Sequence, residues 1–272
     1  MMRTKLNPMI AVIGIGVIVF LYVPMLAVAV YSFNDAKYGG YVWKGFSFEQ
    51  GYLRLFRNEG NVLQYLQNTL VLAVASTVIS TVLGTLLALA MNRFPWPRKI
   101  KGFFDLLVYL PVVTPDIVFA AAMVVAFTML RYLSSIFDPG ITNMIIAHVT
   151  FQIAFVAMVV QSRLATFGRT LEEAARDLYA SNWYILRKLT LPLLAPGIFA
   201  GAMLAFTLSL DDFVISFFTK GGPESTTLPI WLQAEFRRGL KPYHHALSTI
   251  IFLTTVLLVL GLERLTRKER QT

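Results

Sequence analysis

The chain has 272 residues, of which 56% are hydrophobic and only 14% charged, with a formal net charge of +9. This is too apolar for an ordinary soluble domain, and the absence of cysteine excludes disulfides, cysteine nucleophiles and cysteine-based zinc sites. The three histidines, His148, His244 and His245, have no ligand-like neighbours, so no metal site and no catalytic constellation is expected.

Long uncharged runs point to a polytopic, all-α membrane protein. Residues 9–30 are apolar without a break. At about 1.5 Å per residue they extend roughly 33 Å, enough to cross a bilayer. Arg3 and Lys5 precede the run and Ala27-Val28-Ala29 imitates a signal-peptidase site. The run is longer than the apolar core of about 7–15 residues in a cleaved signal, so it is expected to remain as the first span. Residues 31–67 are polar, contain Asp35, Gly39, Gly40, Trp43 and Gly45, and are read as an external loop with a short amphipathic helix over residues 52–56.

The second span is expected over residues 68–91, where Ser76, Thr77, Ser80, Thr81 and Gly84 offer small faces for helix packing. A basic segment with Arg93, Arg98, Lys99 and Lys101 follows. The third span covers residues 102–130 and should be broken by Pro111 and Pro115, each of which removes a backbone N–H. The fourth is placed at residues 141–161, the fifth at 192–218 and the sixth at 246–262. A second external loop, residues 220–245, carries a short helix around residues 230–237. The whole chain, residues 1–272, reads as one transmembrane domain.

Lysine and arginine set the orientation. With the N-terminus in the cytoplasm, the inside segments hold 15 of them and the outside segments 9, and the inside loops are short and basic. Both termini are therefore expected in the cytoplasm, and most of the net positive charge is an orientation signal. Nucleic acid is not an expected partner; membrane lipid is.

The polar stretch between the fourth and fifth spans, residues 163–191, falls on the cytoplasmic side. Thr170 followed by Glu173 has capping-box spacing, which would start a helix at Leu171. Ala174 and Ala175 present only methyl groups, so another protein can approach closely. Ser181 or Asn182 can cap a second short helix, and Pro192 opens the next apolar run.

Carboxylates inside a membrane are costly, about 2.5–3.5 kcal/mol at the bilayer centre on insertion scales, and usually face a pathway or a helix neighbour. Asp116 follows Pro115, and Asp211 and Asp212 follow Ser209-Leu210. Ser209, Asp212 and Ser216 recur at i, i+3 and i+7, one stripe of a helix, with Asp211 turned about 100° from Asp212. Together these acids and the carbonyls freed by proline would favour a cation. His148 is expected to be hydrogen-bonded between helices.

Glu173-Ala174-Ala175 with Leu189-x-Leu191-Pro192 resembles the EAA signature of ABC-importer permeases. Pro115-Asp116-Ile117-Val118, Ala147-His148-Val149-Thr150-Phe151, Ser209-Leu210-Asp211-Asp212, Tyr31-Ser32-Phe33-Asn34 and Trp43-x-Gly45-Phe46-Ser47 narrow the resemblance to the second permease subunit of spermidine/putrescine importers. The likeness covers nearly the whole chain. It implies the six-span permease fold with a cytoplasmic coupling helix in a bacterial inner membrane, alternating access, and polyamine substrates. It also implies a second, different permease, a dimer of cytoplasmic ATPase subunits holding ATP and Mg, and a periplasmic polyamine-binding protein. Carried over residue by residue, it implies Asp116, Ser209, Asp211, Asp212 and Trp43 for substrate passage. Glu173, Ala174, Ala175, Leu191 and Pro192 would serve ATPase coupling.

Three positions depart from the family pattern. Tyr179 stands where glycine is usual, Leu189 where isoleucine is, and Gly51 where relatives tend to have tryptophan. At Tyr179 either the turn differs or the residue is strained. Another small cation or amino-acid-derived solute is the alternative substrate. An ion-coupled secondary transporter is the rival class, although no inverted repeat is evident. The sequence has no Gly-x-x-x-x-Gly-Lys-Ser/Thr loop, so the chain is not expected to be an enzyme and needs no cofactor of its own.

Overall fold

The computed structural model describes residues 8–37 and 42–269, with side-chain surroundings through residue 257. Arg3, Lys5, Gly39 and Gly40, named above, lie outside the described residues. The described residues form helices and connecting turns, with a single antiparallel bridge between Asn34 and Phe46. Chain contacts group into two compact units, residues 1–63 with 232–272, and residues 64–231.

In the first unit, α1 (Pro8–Tyr31) is apolar on every side and exposes nearly all of its side chains, which suits a lipid surrounding rather than water. It packs against the C-terminal helix α11 (Pro242–Glu269). The expected helix at residues 52–56 is instead a π-helical turn, Glu49–Leu53, running into one α-turn, Arg54–Phe56. Gly51 lies buried in that turn. A Cβ there would collide with the Ser32 carbonyl oxygen and touch the Ala246 Cβ. No side chain, tryptophan least of all, fits position 51 on this backbone. Ser32 in turn donates to the Ala29 carbonyl at 2.6 Å and meets the Tyr52 hydroxyl at 3.0 Å.

The second unit is built on α2 (Val62–Arg93), α5 (Ile141–Phe167) and α8 (Leu191–Leu210). α5 is the buried centre. Its Val156 sits between two glycines: a Cβ on Gly84 of α2 would come within 2.7 Å of the Val156 Cβ, and one on Gly201 of α8 within 3.3 Å of its Cγ1. Ser76 and Ser80 are likewise fully buried. The small faces read from the sequence of the second span are therefore packing faces.

The third apolar run is two helices, α3 (Arg98–Val113) and α4 (Asp116–Leu130), bent by 113°. Pro111 does not break its helix. The break is at Thr114, whose ψ of 129° is the extended conformation that a following proline enforces. The fifth run is also interrupted: α8 stops at Leu210, Asp211 to Phe213 are non-helical, and α9 (Val214–Thr219) resumes. No proline or glycine marks that break. α10 (Leu228–Arg238) is the short helix expected around residues 230–237.

Among the described residues, four helical runs are long and apolar enough to cross a membrane: Met9–Tyr31, Val62–Arg93, Ile141–Phe167 and Asn182–Leu210. The bent pair α3–α4 makes a fifth if it is one crossing.

Candidate functional site

The first candidate site is the polar stretch. α6 (Thr170–Asp177) begins one residue earlier than capping-box spacing suggests. Arg169 occupies the cap position and makes no side-chain cap bond; the Glu173 N–H bonds to the Arg169 carbonyl at 3.0 Å. The expected capping box is thus absent, because the first helical turn already closes on Arg169. The helix is held from its side instead. Glu172 is buried, and its Oε1 accepts from Arg93 Nε and from Thr190 Oγ1, each at 3.0 Å. The Arg93 guanidinium also donates to the Gly168 carbonyl and lies 6.0 Å from the Phe167 ring centre, while Arg169 donates to the Asn92 carbonyl. One carboxylate therefore ties α6 to the end of α2 and to the start of α8.

Glu173 and Ala174 are exposed on the opposite side. α6 ends in a Schellman turn: Ala180 N–H bonds to the Ala175 carbonyl at 3.0 Å and Tyr179 N–H to the Arg176 carbonyl at 2.8 Å. Tyr179 is the left-handed residue of that turn, with φ of 59° and 98% exposure. The turn is the one that glycine serves, and Tyr179 is strained in it. α7 (Asn182–Ile185) is capped by Ser181, whose hydroxyl accepts from Tyr184 N–H, and a π-helical turn, Leu186–Thr190, leads into Leu191-Pro192 at the start of α8.

The second candidate site is a buried polar cluster farther along α2, α5 and α8. His148 of α5 lies at its centre: Nδ1 is 2.8 Å from Ser209 Oγ, and Nε2 is 3.0 Å from Ser216 Oγ and 3.3 Å from Asp212 Oδ2. Ser76 of α2 reaches Ser209 Oγ at 3.2 Å. Because the Asp212 carboxylate only accepts, Nε2 carries a proton towards it. Asp212 further accepts the N–H groups of Ile215 and Ser216, at 3.2 and 2.8 Å, and so caps α9. The stripe Ser209, Asp212, Ser216 thus converges on His148, although the helix carrying it is broken. Below this cluster, Ser80 donates to Gln152 Oε1 at 3.1 Å and Gln152 donates to the Ala205 carbonyl at 3.1 Å.

The other sequence-derived acids lie apart from this cluster. Asp211 is exposed at the end of α8, and Asp116 is exposed at the first residue of α4, with no hydrogen bond joining either side chain to His148, Ser209 or Asp212. Trp43 belongs to the first unit, where it is half-exposed and meets Tyr31 edge-on, ring centres 6.4 Å apart. Glu172, Arg93, Ser76 and Gln152 carry the geometry without having stood out in the sequence. For Ser76 and Gln152 the one sequence signal is a polar residue on an otherwise apolar run, shared with many neighbours, while Glu172 and Arg93 lie in polar segments where nothing local singles them out.

Comparison with known proteins agrees with these features. Residues 80–268 match the family model described as binding-protein-dependent transport system inner membrane component. The chain is 35% identical over 248 residues to the Escherichia coli spermidine/putrescine transport system permease protein PotC, covering 91% of this chain and 90% of that protein. It is 38% identical over 233 residues to the E. coli putrescine transport system permease protein PotI, covering 85% and 81%. In Haemophilus influenzae the PotC protein is 34% identical, covering 92% and 93%. The fold is similar to a chain in the crystal structure of a bacterial ABC transporter involved in the import of the acidic polysaccharide alginate. That match has a TM-score of 0.70 and 20% identity, covering 96% of this chain and 94% of that one. The chain belongs to the binding-protein-dependent transport system inner membrane component family.

Proposed function

We propose that this chain is one of two different membrane subunits of an ATP-driven importer for polyamines, putrescine or spermidine, in a bacterial inner membrane. It crosses six times with both termini in the cytoplasm. Residues 163–191 form the coupling loop, whose exposed Glu173 and Ala174, with the partly buried Ala175, seat on a dimer of cytoplasmic ATPase subunits. Those subunits hold ATP and Mg, and hydrolysis is theirs. A periplasmic polyamine-binding protein delivers substrate.

One observation carries this reading: α2 and α8, which hold the coupling helix through Glu172, also hold the polar cluster through Ser76 and Ser209. Arg93 to Ser76 is about 26 Å along α2, and Thr190 to Ser209 about 28 Å along α8. A push on α6 from closing ATPase subunits therefore travels along two rigid helices to the cluster. There the break at Asp211–Phe213 lets α9 reorient. Asp212 and His148 hold the break in shape, and the exposed acids Asp211 and Asp116 meet the amines as the cavity changes sides; Trp43 is assigned to substrate passage on the family resemblance alone. Loose, exposed carboxylates suit passage, since a deep well would slow release.

A second reading, another small cationic or amino-acid-derived solute, is favoured by Gly51. It departs from the family pattern, and here the Ser32 carbonyl leaves no room for a side chain, a change expected of a paralogue with altered specificity.

The test is uptake of labelled putrescine and spermidine by cells carrying the chain with its partners, as wild type, Asp212→Asn and Glu173→Lys. Both variants should reach the membrane and lose uptake, and Glu173→Lys alone should lose ATPase docking. An active wild-type complex that takes up neither polyamine removes the substrate assignment. Uptake that persists without any ATPase partner would instead indicate an ion-coupled transporter.

A further inference from the structure

A cavity of about 320 Å³ opens beside the coupling helix, between α2, α6 and the turn that follows α7. Its walls are divided by chemistry. Leu86, Leu89 and Ile185 form the apolar side, and Arg93, Arg176 and Asn182 the polar side. Glu172 also lines it, but its Oε1 is already engaged by Arg93 and Thr190. Arg176 is exposed and forms no ion pair among the described residues. The wall therefore carries one uncompensated positive charge and the amide donors of Asn182.

The apolar side continues along α2. Leu86, Val82 and Val78 follow one another at four-residue spacing and are all more than half exposed. The site thus has a cationic pocket at one end and an open hydrocarbon track at the other.

We propose that this cavity seats the phosphate headgroup of an anionic phospholipid of the cytoplasmic leaflet. The phosphate faces Arg176 and Arg93, and one acyl chain lies along Leu86, Val82 and Val78. This rests on the cytoplasmic placement of the coupling loop given above. The single spare positive charge matches a phosphodiester with a neutral head such as glycerol. A zwitterionic ethanolamine head would bring an ammonium against Arg176. Exposed Arg187 and Lys188 in the adjoining turn add to the local attraction for an anionic surface. A lipid in this seat bears on Arg93, and through the Arg93–Glu172 pair on the coupling helix, so anionic lipid raises the fraction of ATPase turnover coupled to transport.

The experiment uses the complete importer, purified and read by native mass spectrometry for retained lipid. It is then reconstituted in nanodiscs of phosphatidylcholine with or without phosphatidylglycerol. Wild type should retain phosphatidylglycerol over phosphatidylethanolamine. Arg176→Gln should lower that retention about fivefold, the effect expected of one arginine at an anionic membrane surface. Leu86→Trp, which blocks the acyl track, should lower it as well. Substrate-stimulated ATPase activity should rise with phosphatidylglycerol in wild type and not in Arg176→Gln. Equal retention in wild type and both variants overturns the proposal. So does displacement of the lipid by millimolar inorganic phosphate, which assigns the pocket to a free anion, or cross-linking of position 86 to the second permease, which makes the track a subunit interface. Lipid retention is measured without transport, so it stands or falls separately from the polyamine assignment.

Discussion

Two regions of the molecule carry a pair of adjacent acids, and the fold treats both pairs alike. In Glu172-Glu173 the first acid is buried against Arg93 and Thr190 and the second is exposed. In Asp211-Asp212 the second is turned inward to His148 and the α9 N–H groups, and the first is exposed. Each doublet supplies one acid that fastens a helix end to the body and one that faces outward. The difference between the regions lies in the partner. Glu172 is matched by a full positive charge, whereas Asp212 is matched by a histidine, serines and backbone donors deep among helices. The anchor at the inner cluster is consequently harder to replace.

The comparison breaks most visibly at that inner anchor. Asp212→Ala leaves His148 and two α9 N–H groups without their acceptor and should destabilise the protein by about 3 kcal/mol or more. Asp211→Asn should stay within about 0.5 kcal/mol, because an exposed carboxylate with no partner contributes little. Unfolding in detergent, followed by tryptophan fluorescence, measures both. A smaller contrast is expected at the coupling loop. Glu172→Ala should cost about 2 kcal/mol, since it strands the half-buried Arg93 and the buried Thr190 hydroxyl. Glu173→Ala should leave stability unchanged and weaken only the hold on the ATPase, read by co-purification. A gain rather than a loss is expected at the turn between α6 and α7. Tyr179→Gly relieves the left-handed strain and should stabilise the loop by about 1 kcal/mol, visible as slower hydrogen exchange of Ala180.

What the sequence made legible is what local chemistry decides. The apolar runs became helices, Pro115 broke the third of them through Thr114, Ser181 capped its helix, and the glycine position at Tyr179 kept its glycine-like turn. What it hid depends on distant partners. Glu172 and Glu173 are indistinguishable locally, and the choice between them is made by Arg93, 79 positions away. The break after Leu210 has no proline or glycine; it exists because Asp212, His148 and the serines hold one another across helices. The capping box failed for the opposite reason, since Arg169 closed the first turn before Thr170 could. The same distant partners divide the acids: Asp212 is bonded to His148 and the α9 N–H groups, whereas Asp211 and Asp116 are exposed.

The division between anchoring and presented acids is tested most directly by measuring putrescine uptake and melting temperature together for Asp211→Asn and Asp212→Asn in the complete importer. Asp211→Asn should melt with wild type yet take up putrescine about tenfold more slowly, a loss near 1.4 kcal/mol, and Asp212→Asn should lose stability and uptake together. Wild-type uptake by Asp211→Asn, or an Asp212→Asn protein that melts normally while losing uptake, would contradict it and return Asp212 to the substrate path.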